Sequence, residues 1–235
     1  METYREFLDR INTFEKKQPE FGATPFTVNS SLTQKVGIDN KFKPFYGDTV
    51  VFDLSNEVKS RLCDYVNLLY NVAPQCFCER LNTQTFHMTL HDLSNNSTLS
   101  DVAEELLQNE INVTKKVSEF EKLQGVEIRL KCKYVFNMVN TSLVLGLYPI
   151  DETHHCLLSQ LYSVLDGVKT LSYLLTPHIT LAYYNVHGFD AHAAKVLSDT
   201  VARINNTLDF EITVRDLYYQ KFASMNEYKN VIKLL

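Results

Sequence analysis

The chain has 235 residues, 45 % of them hydrophobic, which is enough for one large packed core or two small lobes. A formal charge of −5 and an isoelectric point near 5.8 argue against a general nucleic-acid coat, and leave room only for a locally positive pocket that takes a small or single-ended nucleotide. No apolar run reaches the ~18 residues that span a bilayer, and Met1-Glu2-Thr3-Tyr4-Arg5-Glu6 lacks the charged and apolar regions of a signal peptide, so a cytoplasmic location is expected.

In chain order, Tyr4, Phe7, Leu8, Ile11 and Phe14 recur near helical spacing and predict a helix over 1–17, ended by Lys16-Lys17-Gln18-Pro19. Residues 18–47 are punctuated by Pro19, Gly22, Pro25, Gly37, Pro44 and Gly47 and predict an irregular segment. Phe21, Phe26, Phe42 and Phe45 imply that this segment wraps against the body. Two similar units follow over 48–235. The first has a strand at 49–54, a helix at 55–72, a strand at 85–93, a short helix at 100–109 and a strand pair at 126–135 and 142–149. The second has a strand at 143–147, helices at 151–165 and 190–204 around a strand at 179–184, and final strands at 210–219 and 231–235. This order predicts an α+β protein: a bilobal, pseudo-twofold fold in which two antiparallel sheets face a central groove and helices pack outside.

The second strand of each unit carries nearly the same pentapeptide, Phe86-His87-Met88-Thr89-Leu90 and Pro177-His178-Ile179-Thr180-Leu181. Side chains alternate across a strand, so His and Thr two residues apart share a face. One His-x-Thr alone is ordinary packing. Two, at matching places in duplicated units, present paired imidazoles and hydroxyls across the groove, an arrangement suited to acid–base chemistry on a phosphate.

These motifs resemble the two-histidine (2H) phosphoesterase superfamily, which includes bacterial 2'-5' RNA ligase-like proteins and RNA 2',3'-cyclic phosphodiesterases. The resemblance covers 47–235. Val36-Gly37, Lys41-Phe42 and the run Pro44-Phe45-Tyr46-Gly47-Asp48-Thr49-Val50-Val51 also look like the start of a poorly characterised bacterial and fungal branch of that superfamily. The resemblance implies a phosphodiesterase that needs neither metal nor cofactor. His87 and His178 would be base and acid on either side of the phosphorus, and Thr89 and Thr180 would donate hydrogen bonds to its non-bridging oxygens. The implied substrate is a nucleotide or short RNA end with a 2',3'-cyclic phosphate or a 2'-5' linkage. No protein partner or membrane is signalled, and a monomer is expected. The alternatives are 2'-5' RNA ligation by the same residues and non-catalytic binding of nucleotide or RNA. The chain departs from the pattern at one place: many 2'-5' RNA ligase-like members carry an arginine three residues beyond the second threonine, where this chain has Tyr183. Strict alternation turns Tyr183 away from the His178 face and points Tyr184 towards it. Tyrosine hydroxyls or a lysine from elsewhere would then replace the guanidinium.

Four further residues are candidates for substrate binding. His91 shares the face of His87 and Thr89 by alternation, with Asp92 opposite. Tyr134 and Tyr184 are strand aromatics on which a base could stack, and Lys41 lies in the loop that enters the first strand. His154-His155 reads as surface. The five scattered cysteines read as reduced thiols, without the spacing of a zinc site.

Overall fold

The computed structural model describes residues 2–16 and 24–235, so Phe21 lies outside the described residues. The elements in chain order are α1 (Tyr4–Lys16), β1 (Tyr46–Asp53), α2 (Asn56–Val72), β2 (His87–Asn96), α3 (Leu99–Glu121), β3 (Ile128–Met138), β4 (Ser142–Pro149), α4 (Glu152–Asp166), β5 (His178–Tyr183), α5 (Ala191–Thr207), β6 (Phe210–Val214), β7 (Leu217–Ser224) and β8 (Glu227–Lys233). Side-chain oxygens of Ser55, Asp151 and Asp190 cap α2, α4 and α5 by accepting from the amides of Val58, His154 and Ala193. The helix predicted over 100–109 runs for 23 residues, because Val113 and Phe120 carry its buried stripe beyond Asn109.

The strands form two four-stranded antiparallel sheets, β2-β1-β7-β8 and β5-β4-β3-β6. They meet at β2 and β5, where Met88 pairs with Ile179, so one strand order runs through both. Each half begins strand–helix–strand–helix, and then the chain crosses over. β3, after α3, pairs with β4 of the second half, and β7, after β6, returns to pair with β1 of the first.

One apolar cluster fills the outer side of both sheets. It takes Leu62, Val66 and Leu69 from α2, Leu197 and Val201 from α5, and Leu143, Leu145 and Leu147 from β4. β4 is buried on its other face as well. There Val144 and Tyr148, with Tyr134 and Phe136 of β3, are covered by Phe7 and Ile11 of α1. Val144 pairs with Thr180 and Gly146 with His178, so α1 lies on the same side of the sheet as the second His-x-Thr. α1 also explains His155, which is buried, with its ring centre 5.5 Å from that of Tyr4 and 5.0 Å from that of Phe7, rather than at the surface.

Residues 24–45 strap both halves. Phe26 bridges to Phe189, the Asn29 amide donates to Asn140 O, and the Phe45 amide donates to Ala223 O. Among the described residues no helix is long and apolar enough to cross a membrane. The cysteines are free thiols.

Candidate active site

The register that pairs Met88 with Ile179 sets His87 opposite Thr180 and Thr89 opposite His178. The four side chains line one groove, a cavity of about 560 Å³. His87 Nδ1 lies 2.7 Å from Thr85 O, and His178 Nδ1 lies 2.7 Å from Thr176 O. A carbonyl can only accept, so each Nδ1 carries a proton and each Nε2 is the atom left to gain or lose one. Burial pushes the His87 imidazole down to about 4, against the opposing pull of the Thr85 carbonyl and the Asp92 carboxylate. Burial also lowers His178, with the Lys35 charge adding to the effect.

Just after each threonine the strand bulges. Val51 and Val50 pair with Thr89 and His91, and Val144 and Leu143 pair with Thr180 and Ala182, so Leu90 and Leu181 are extra residues. Alternation restarts beyond them. Asp92 and Tyr183, equivalent positions of the two motifs, therefore line the groove, and His91 and Tyr184 do not. His91 is buried against the Tyr162 ring, 4.8 Å between centres, with Nδ1 2.6 Å from Asp92 O. Tyr184 is sealed among Phe26, Phe77 and Phe189. Tyr134 lies under α1, its hydroxyl donating to Ile11 O at 2.9 Å. Lys41 is exposed and off the cavity wall. None of these four candidates lines the cavity.

The wall holds residues that sequence reasoning missed. Lys35 Nζ stands 5.3 Å and 5.5 Å from the ring centres of Phe45 and Tyr183. Asp92 accepts a 3.0 Å hydrogen bond from the Tyr173 hydroxyl. The Tyr228 ring meets that of His87 edge-on, 5.0 Å between centres. One signal for Asp92 and Tyr183 was available. An arginine that holds phosphate in the resembling proteins must face their groove, which already contradicts unbroken alternation at the place of Tyr183. Lys35 carried no such signal.

No protein-family model matches the chain, and no curated protein matches it. Solved structures do. A conserved Agrobacterium tumefaciens protein of unknown function shares the fold, with a TM-score of 0.72 over 95 % of this chain and 99 % of that one, at 14 % identity. Escherichia coli LigT, solved with 3'-AMP, aligns at a TM-score of 0.47 over 80 % of this chain and 96 % of its own, at 14 % identity. Protein TT0787 of Thermus thermophilus gives 0.46 over the same shares, also at 14 % identity. The likeness to the Agrobacterium protein is one of fold. In its duplicated motif the chain resembles the two-histidine phosphoesterases.

The turn before each histidine is fixed by an ion-paired cation. Lys59 Nζ of α2 donates to Gln84 O at 3.1 Å and pairs with Asp53 at 2.7 Å. Arg10 of α1 donates to Leu175 O at 2.8 Å and to Thr176 Oγ1 at 3.1 Å, and pairs with Glu2 at 2.7 Å. Gln84 and Leu175 each directly precede the residue whose carbonyl orients a catalytic-candidate imidazole, so the two halves hold their rings by the same device.

Proposed function

We propose that the chain is a two-histidine phosphodiesterase that opens a 2',3'-cyclic phosphate or a 2'-5' linkage in a nucleotide or at an RNA end. The observation that carries this reading is the pair of imidazoles in one groove, each beside a threonine and each with Nδ1 committed to a carbonyl. One neutral Nε2 takes a proton from water as its oxygen attacks phosphorus. The other ring, protonated at Nε2, gives its proton to the departing ribose oxygen. The P–O bond to water forms as the P–O bond to that oxygen breaks. The rings end with their protonation states exchanged, and solvent restores them. Thr89 and Thr180 donate to the non-bridging oxygens, where charge builds in the transition state. The lowered imidazoles favour the neutral base, and an entering anion raises them, so that one can hold the acid's proton. Nothing in this sequence of steps requires a metal. The cavity volume suits a mononucleotide, and the Tyr173 and Tyr228 rings offer faces for a base.

The test is incubation of EDTA-treated protein with the four nucleoside 2',3'-cyclic monophosphates and with 2'-5' diadenylate, the products being separated by chromatography. Wild-type protein yields a nucleoside monophosphate, and His87→Ala and His178→Ala each reduce turnover by about 10²–10⁴-fold. Full turnover in both single variants would overturn the reading. Binding without product would leave a nucleotide-binding protein in its place.

A further inference from the structure

Among the described residues Lys35 is the one ammonium lining the cavity that holds both histidines and both threonines, and none of them supplies its Nζ with a hydrogen bond or an ion pair. Its backbone is firmly placed. Leu32 and Val36 on either side are fully buried, the Lys35 amide donates to Leu32 O, and its carbonyl accepts from Lys43. The ammonium stands over the rings of Phe45 and Tyr183, 5.3 Å and 5.5 Å from their centres. A half-buried cation without an ion-pair partner is costly, and burial lowers its pKa; Asp92 acts on it only through its charge at a distance. Tyr183 occupies the place where resembling proteins carry an arginine, yet its hydroxyl is turned to Met225 Sδ at 3.2 Å. What Tyr183 presents to the groove is a ring face, and that face carries Lys35. The Lys35 charge is also near enough to lower His178.

We infer that Lys35 is the phosphate-holding cation of the groove, supplied from the N-terminal segment onto the ring of Tyr183, and that the groove takes a small diester bearing one negative charge. The inference rests on the phosphodiesterase reading for its substrate class. In the cavity that holds all four motif side chains, the fixed charges among the described lining residues are Lys35 and Asp92, apart from the two imidazoles. One cation balances one phosphate, whereas a strand of RNA would need a row of them. Asp92, steadied by Tyr173, is free to accept from a ribose hydroxyl or a base amino group. It also repels the doubly charged monoester product, which favours release.

The test titrates wild type, Lys35→Gln and Lys35→Arg with inorganic phosphate, adenosine 2',3'-cyclic monophosphate and uncharged adenosine, following the His178 imidazole by NMR. Lys35→Gln weakens both anions about tenfold or more and leaves adenosine unchanged, while Lys35→Arg retains most of the affinity. The His178 pKa rises in Lys35→Gln and not in Lys35→Arg. Equal anion affinity in wild type and Lys35→Gln overturns the inference, as does a wild type that binds neither anion. If wild type turns over the cyclic nucleotide and Lys35→Gln leaves KM unmoved, Lys35 is refuted and the phosphodiesterase reading stands. If phosphate binding depends on Lys35 while wild type turns nothing over, Lys35 stands and that reading falls. An oligonucleotide ending in the cyclic phosphate binds no tighter than the mononucleotide. A gain of about tenfold or more with length would refute the single-charge fit.

Discussion

Each imidazole keeps one proton on Nδ1 for a backbone carbonyl, so a single atom of each ring does the titrating. Free imidazole titrates near 6.5, whereas His87 is held at about 4 and His178 is also depressed. On the proposed phosphodiesterase reading, the pH profile of kcat/KM, which reports the free protein, should therefore be a bell whose optimum lies below pH 6.5. Asp92 raises both rings, so Asp92→Asn shifts both limbs further to acid; a profile that stays put or moves to alkali would refute this coupling. The same shifts act on folding. As pH falls from about 6.5 towards 4 the unfolded chain takes up protons that the folded rings refuse, so stability present above that window is lost across it. Sequence reading put the two histidines and two threonines on one face correctly because period-two alternation holds over three residues. It misplaced His91 and Tyr184 because each strand adds a residue at Leu90 or Leu181, and an insertion of one flips every later side chain. Tyr184 offers a direct check. Its hydroxyl is buried without a partner among the described residues, and such a group costs about 1–3 kcal/mol. Tyr184→Phe should raise the melting temperature and leave turnover unchanged, whereas a groove-facing Tyr184 would lose activity.

At the level of elements, the helices do more than cover the sheets. α2 and α1 send Lys59 and Arg10 to the carbonyls of Gln84 and Leu175, which fix the turns whose next carbonyls orient His87 and His178. These are positioning residues, and their effects should be confined to one half. Arg10→Gln should move the ring-nitrogen shifts and pKa of His178 while leaving His87 unmoved, and Lys59→Met should do the reverse. Each variant should lose about 1.5–3 kcal/mol in chemical denaturation, the range for hydrogen bonds made by charged groups. If either substitution moves both rings equally, the clamps are general packing and not separate devices. The helical periods of α1, α2, α4 and α5 could be read from the chain, since each buries a stripe with 3.6-residue spacing. The clamps could not, because Arg10 and Leu175 are far apart in sequence and only the packing of α1 on β3 and β4 brings them together.

For the whole molecule, the duplication was visible as a repeated order of elements, but the way the halves join was not. The β3–β4 hairpin was legible as a strand pair, whereas the pairing of β1 with β7 is long-range and local periodicity does not encode it. The joint between the sheets is slight in backbone terms, the one residue pair Met88 and Ile179. In apolar terms it is extensive. A single buried cluster includes Val50 and Phe52 of one sheet with Leu145 and Leu147 of the other, and α2 and α5 both feed it. The crossing connections mean that neither half can be peeled away without breaking strand pairs of its neighbour. Burial of this kind makes unfolding cooperative, so the halves should melt together despite their narrow hydrogen-bonded seam. His87 and His178 provide a probe in each sheet, and their imidazole signals should disappear at a common midpoint on heating or in urea. Midpoints that separate would mean the groove can open along the Met88–Ile179 seam while each half stays folded. The two imidazoles would then be brought together by ligand and not by the fold.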